Sequence, residues 1–310
     1  MPSPSLLSQL SRLTGALVAS IVVAGCVTAA GGGGDPASPS APPASPSPSA
    51  PSSPSPSPEP SGSPAPSGFY LRAWRTQALA PQYTFTWLPI ATISDGKFVD
   101  GRVAVPAIYP GPLWVGPSVR TVTAKGIDAI VAEAHKQGLL GSKSDFNDNP
   151  MPGAVTGHIQ LVVDGKTYDL SGDPDALLRC RCIPDPGTSG AFAAFYQRVG
   201  DLAGWIPEEL GQSSPYEPDR LAVLALPPTQ EASDITPNEV PWPLATPFAA
   251  FGTAMGNDTH RCAVVSGAEL AKLEPVVKQS NQLTRFVDSA NVKDSLLVRV
   301  MVPGEPDPCA

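Results

Sequence analysis

The stretch from Gly31 to Ser67 decides how the rest of this chain can fold. Of its 37 residues, 13 are proline and 12 are serine, behind a run of four glycines. Proline locks φ and carries no amide hydrogen, so helix interiors and central strands are closed to such a tract. It shows no apolar periodicity, and without a core to bury nothing offsets the entropy of ordering it. Alternating Ser-Pro favours extended polyproline II at ~3.1 Å per residue, which predicts a disordered tether reaching roughly 100 Å. Its serines are also candidates for sugars, although an unmodified spacer is the preferred reading. Folding is therefore left to residues 68–310, and a short leader precedes the tract.

The leader carries one basic residue, Arg12, then an apolar run from Leu13 to Gly25. That run is well short of the ~20 residues a spanning helix needs. A charged start, an apolar middle and small residues before a cut mark a secretory signal. The run ends in Val23-Ala24-Gly25-Cys26. A cysteine directly after the small pair resembles the lipobox of bacterial lipoproteins, where the thiol takes a diacylglycerol and the chain is cut just before it. The resemblance implies a signal peptide over 1–25, lipidation and palmitate at Cys26, a tether over 26–67, and a globular domain on the extracytoplasmic face of a cell membrane. Two acyl chains anchor stably where one binds only marginally.

Hydrophobic residues make up 42% of the chain, enough for the core of one large domain or of two smaller units, 68–205 and 219–310. The formal net charge is −8, and residues 68–310 carry 19 Lys+Arg against 26 Asp+Glu. Nucleic acid and anionic lipid heads repel such a domain, which argues against both as direct partners.

Order is expected from Phe69. Tyr83, Phe85 and Trp87 alternate with threonines, which predicts a strand from Tyr83 to Ile93. Asp95-Gly96 signals a tight hairpin returning over Phe98–Val105, and Asp164-Gly165 a second between His158–Val163 and Lys166–Leu170. The shared Asp-Gly-Lys admits an internal repeat, but turn chemistry alone produces it. Val119–Val122 adds a short strand. Thr123 caps a helix whose stripe is Ile127, Ile130, Val131 and Ala134, ended by Gly138 with Leu139 folding back. Asp173-Pro174 starts a short turn, and a helix opening at Thr188 or Ser189 buries Phe192, Phe195, Val199 and Leu202. Residues 201–240 hold eight carboxylates against Arg220 alone, read as a solvated surface around one strand, Leu221–Leu226. Cys262–Val265 predicts a strand, and Ser266 with Glu269 a capping box for a helix through Gln279 that Pro275 should kink. Leu283–Val287 and Ser295–Val302 close the chain, with Arg299 facing away from the apolar side of the last strand. Hairpins with helices between them predict an α+β fold: a mostly antiparallel sheet with about three main helices packed on it.

With Cys26 in lipid, four cysteines remain, and in an exported chain Cys180, Cys182, Cys262 and Cys309 allow three disulfide connectivities. Cys262 begins a strand and Cys309 follows the last one, a placement suited to a staple. That would leave Cys180 beside Cys182 in a small strained ring open to thiol exchange. Asp145, Asn147 and Asn149 match the opening of a calcium loop, but Pro150 and Thr156 stand where glycine and glutamate are required. His135, His158 and His260 show no ligand spacing. No Gly-x-Ser-x-Gly elbow occurs, and Ser94-Asp95-Gly96-Lys97 lies on a turn. No catalytic residue, metal or cofactor is predicted.

The opening strand pair, the helix ending Gly138-Leu139-Leu140-Gly141, Trp242-Pro243-Leu244, Arg261-Cys262 and Cys309 resemble a group of uncharacterised exported proteins of Gram-positive-type, high-GC bacteria. The resemblance implies a shared fold and a Cys262–Cys309 bridge, and no activity. The expectation is a non-enzymatic envelope module for a protein or wall polymer, using the proline-flanked aromatics Tyr109, Trp114 and Trp242. An exported enzyme, hydrolytic or thiol-based, with a site assembled from distant residues is the alternative.

Overall fold

The computed structural model describes residues 68–103, 107–148, 153–180, 184–228 and 235–310. The leader with Cys26, the tether, Cys182 and the calcium-loop positions Asn149 and Pro150 lie outside them. In chain order the first elements are β1 (Tyr70–Thr76), α1 (Pro81–Thr84), β2 (Ala91–Ser94), β3 (Lys97–Asp100), β4 (Ser118–Thr121), α2 (Ala124–Lys136), β5 (Asp145–Phe146), β6 (Thr156–Val163) and β7 (Lys166–Gly172). Then come α3 (Ala176–Cys180), α4 (Ser189–Gly200), α5 (Leu202–Trp205), β8 (Ser214–Pro215), β9 (Arg220–Leu226), β10 (Glu239–Pro241), β11 (Thr253–Met255) and β12 (Asn257–Ser266). The chain closes with α6 (Gly267–Lys278), β13 (Arg285–Val287) and β14 (Lys293–Val300).

The strands form two open sheets, ordered β5-β7-β6-β1-β2-β3-β4-β8 and β10-β13-β14-β9-β12-β11. Among the described residues only the β5–β7 and β10–β13 pairings are parallel. The fold is α+β with mostly antiparallel strands.

Both tight hairpins form where the turn chemistry places them. Asp95 and Gly96 have φ of 50° and 70°, Asp164 and Gly165 of 49° and 74°, the paired left-handed residues a type I′ turn requires. The α2 helix starts as its sequence dictates, with Thr123 Oγ1 accepting the Gly126 amide at 3.2 Å. It ends in a Schellman motif: Gly138 has φ 68°, and the Leu139 amide reaches back to the Ala134 carbonyl at 3.0 Å.

The α2, α4 and α5 helices cover one face of the first sheet, where Leu71, Ile93 and Ile159 meet Ile130, Phe195 and Val199. Phe192 reaches the sheet through a gap left by the cross-strand pair Gly157 and Gly172. A Cβ on Gly172 would stand 2.6 Å from the Phe192 ring, so no larger residue fits there. In the second sheet, α6 packs on the face carrying Val223, Val265 and Val298, while Phe85 and Met301 cover the opposite face.

Three expectations about the elements are corrected, and one element is added. Tyr83–Ile93 is not a strand: Pro81 opens the helical turn of α1, Tyr83 points to solvent, and pairing begins only at Ala91. The alternation that imitated a strand serves instead to bring Phe85 under the second sheet. The return of the first hairpin stops at Asp100, with residues 101–103 outside any strand and Val105 outside the described residues. The Ser266 capping box does not form; Gly267, at φ 54°, turns the chain into α6, which runs through Pro275 to Lys278. Finally β1, which the patterning left unassigned, pairs with both β2 and β6 at the centre of the first sheet.

Candidate functional site

A cleft of about 500 Å³ opens where the base of the β2–β3 hairpin faces β14. Trp87, Leu88, Ile90 and Val103 line one wall, and residues 296–300 the other. The proline-rich loop closes one end with Pro112, Leu113 and Val115. It is docked there by Leu113, whose amide donates to the Ser280 carbonyl, and by Gln282, whose amide donates to the Gly111 carbonyl, both at 3.0 Å.

Three arginines are the charged residues of this lining: Arg75, Arg102 and Arg299. Arg75 is exposed and stacks its guanidinium on the Trp87 ring, 4.3 Å from the centroid. It makes no ion pair among the described residues. Arg102 is held by Asp100 and Asp201, each at 3.2 Å. Arg299 donates from Nη1 to the Trp87 carbonyl at 3.3 Å and from Nη2 to Glu305 at 2.9 Å. Burial lowers its pKa, Glu305 opposes that shift, and the nearby Arg72 charge adds to it.

Behind Trp87 and Arg299 lies a smaller cavity of about 180 Å³, lined also by Arg72, Trp74, Glu305 and Pro308. Arg72 sits over the Trp74 ring at 4.2 Å and is 8% exposed. The Nε atoms of Arg72 and Arg299 are both buried with no hydrogen-bond partner. An unsatisfied buried donor costs ~1–3 kcal/mol, and such groups in a fold call for an explanation.

The register places His158 opposite Trp74, and the two rings stack at 5.1 Å. Thr76 Oγ1 lies 2.8 Å from His158 Nε2. Burial, then the Arg72 charge, hold the imidazole pKa below its ordinary value. The folded state therefore binds fewer protons here than the unfolded chain does. The resulting stability is present above the unfolded pKa of about 6.5 and is lost as pH falls from there toward the folded value. We expect urea midpoints measured from pH 7 to 5 to fall less steeply in His158→Gln than in the wild type.

The residues predicted from sequence are not brought together. Tyr109 is 57% exposed. Trp114 is half-buried against the core of the second sheet, with Lys278 Nζ 4.9 Å from its ring centroid. Trp242 is a correction: it is buried, packs against Phe248, Phe251 and Phe286, and donates its indole N–H to the Thr246 carbonyl at 2.8 Å. It belongs to the core and not to a surface. Cys262 and Cys309 are joined, with Cα atoms 5.3 Å apart. Cys180 ends α3. Among the described residues no group of three His, Cys, Asp or Glu side chains is placed to hold a metal ion.

Sequence patterning missed Arg72, Arg75 and Trp87. The one signal was Arg299, an isolated charge on the far side of an apolar strand. In comparisons with family models, with curated proteins and with solved structures, nothing matches this chain.

Proposed function

We propose that this chain is a lipoprotein held by Cys26 on the extracytoplasmic face of a membrane, and that it binds a ligand of the cell envelope rather than transforming one. The Val23-Ala24-Gly25-Cys26 sequence and the tract from Gly31 to Ser67 support the anchor and the tether. The lining of the cleft carries the binding reading: its charged groups are guanidiniums, which stay protonated and cannot exchange protons near neutral pH. Guanidiniums stacked near an indole recognise planar anions well, and an apolar wall beside them adds burial. The partner on this reading is a protein or wall polymer that brings local carboxylates to these arginines, whereas a polyanion such as nucleic acid is disfavoured by the net charge of −8.

The anchor is tested by Cys26→Ala. The variant is expected to lose incorporation of labelled palmitate and to leave the membrane fraction or accumulate as an unprocessed precursor. Membrane retention of a normally processed, unlabelled variant contradicts the anchor.

A further inference from the structure

The wall of the cleft formed by β14 is a strand edge. The Met301 amide donates to the Arg220 carbonyl at 3.1 Å, which fixes the odd-numbered residues as those bonded to β9. In an antiparallel ladder the alternate residues then direct their N–H and C=O groups to the other side. On that side β13 pairs only with Lys293 and Asp294. Leu296, Val298 and Val300 consequently present backbone groups along the cleft, and no backbone partner meets them among the described residues. An unpaired edge of this kind is a template for an added strand. From Ser295 to Val300 it runs roughly 17 Å, the length of a five- or six-residue strand.

The chain itself shows the chemistry that suits the end of this edge. The Val302 amide, next in the same alternation, donates to Glu305 Oε2 at 3.2 Å. The other oxygen of that carboxylate takes the Arg299 guanidinium at 2.9 Å. One acidic side chain thus satisfies both the edge and an arginine. Further along, Arg75 has no such carboxylate among the described residues, and Arg299 keeps a buried Nε donor without a hydrogen-bond partner.

We propose that the cleft binds a short, extended acidic peptide segment, which adds as a strand to the free edge of β14. This rests on the binding reading above and names the class of ligand. Side chains of an added strand share faces with their cross-strand neighbours. Those beside Leu296, Val298 and Val300 are apolar, and those on the Leu297 and Arg299 face are acidic. The ligand therefore alternates apolar and acidic residues, its carboxylates meeting Arg75 and Arg299.

The test uses the full-length chain and a blocked pentapeptide, Val-Glu-Val-Glu-Val, in isothermal titration calorimetry at low salt. Binding is expected for this peptide, with at least a tenfold weakening when lysine replaces glutamate. Arg75→Gln should weaken binding about tenfold; Arg75 is exposed, so this variant is expected to fold. Two N-methylated peptides, one methylated at the valines and one at the glutamates, separate strand pairing from charge attraction. One set should abolish binding and the other preserve it, with loss at the valines indicating an antiparallel strand. Equal effects of the two sets, or octanoate binding as tightly as the peptide, would overturn the proposal. So would failure of the unmethylated peptide to bind. Release of Cys26→Ala from membranes alongside that failure would leave the anchor standing and remove only the peptide assignment; the converse result would do the reverse.

Discussion

Replacing Glu305 by alanine is expected to lower the folding stability by about 3–5 kcal/mol, the usual effect of removing one partner from a buried ion pair. Both side chains of the pair are largely out of solvent, at 11% exposed for Arg299 and 7% for Glu305. The variant leaves Arg299 with the Trp87 carbonyl as its remaining hydrogen-bond partner, and it also frees the Val302 amide. Equilibrium urea unfolding of both proteins measures the difference. A loss below about 1 kcal/mol, typical of a surface pair, would show that water replaces the carboxylate without difficulty. Replacing both residues together, as Arg299→Met with Glu305→Leu, should restore most of the loss, because no unpaired charge then stays buried.

The second large effect concerns the bond that holds this tail in place. Cys309 is joined to Cys262 on β12 across 47 residues, and between them the chain passes through α6, β13 and β14 before returning with Glu305. Removing a loop of that length from the constraints on the unfolded chain gives a loss of about 4 kcal/mol in the chain-entropy account. Cys309→Ser and Cys262→Ser should each show it, and a reductant should lower the wild type to the same level without altering either variant. Combined with Glu305→Ala, the losses should fall short of additive, since both changes release the same segment. Full additivity would mean that the tail stays seated through other contacts, such as the Tyr70 hydroxyl on the Pro303 carbonyl at 3.2 Å.

These predictions meet in the tail, residues 301–310. It carries Glu305 to the meeting point of the two sheets and covers the face of the first sheet on which Arg72 and Trp74 lie. Its place depends on Arg299, which the sequence marks only as a charge opposite an apolar stripe. Alternation shows that such a residue leaves the face of its neighbours, but not that a second layer waits on the other side. In this fold Phe85 and Met301 supply that layer, and Arg299 lies 5.8 Å from the Phe85 ring.

The sequence alone determined what depends on a few adjacent residues. Both Asp-Gly hairpins, the Thr123 cap and the Gly138 terminus follow from local backbone preferences, and each is found in place. The stripes of α2 and α4 follow from helical period, so the core of the first sheet was largely legible. Tertiary structure decided what depends on which distant segments meet. Pro81 turned an alternating stretch into a helical start, and β1 took the central place in its sheet through pairing on both sides. Trp242 was drawn into the core by Phe248, Phe251 and Phe286 rather than left with its prolines at the surface. The cleft joins Arg75 and Trp87 to Arg299, more than two hundred residues further on. No periodicity carries that information, because an open sheet edge and a charge cluster arise only when the remote partners that border them have taken their positions.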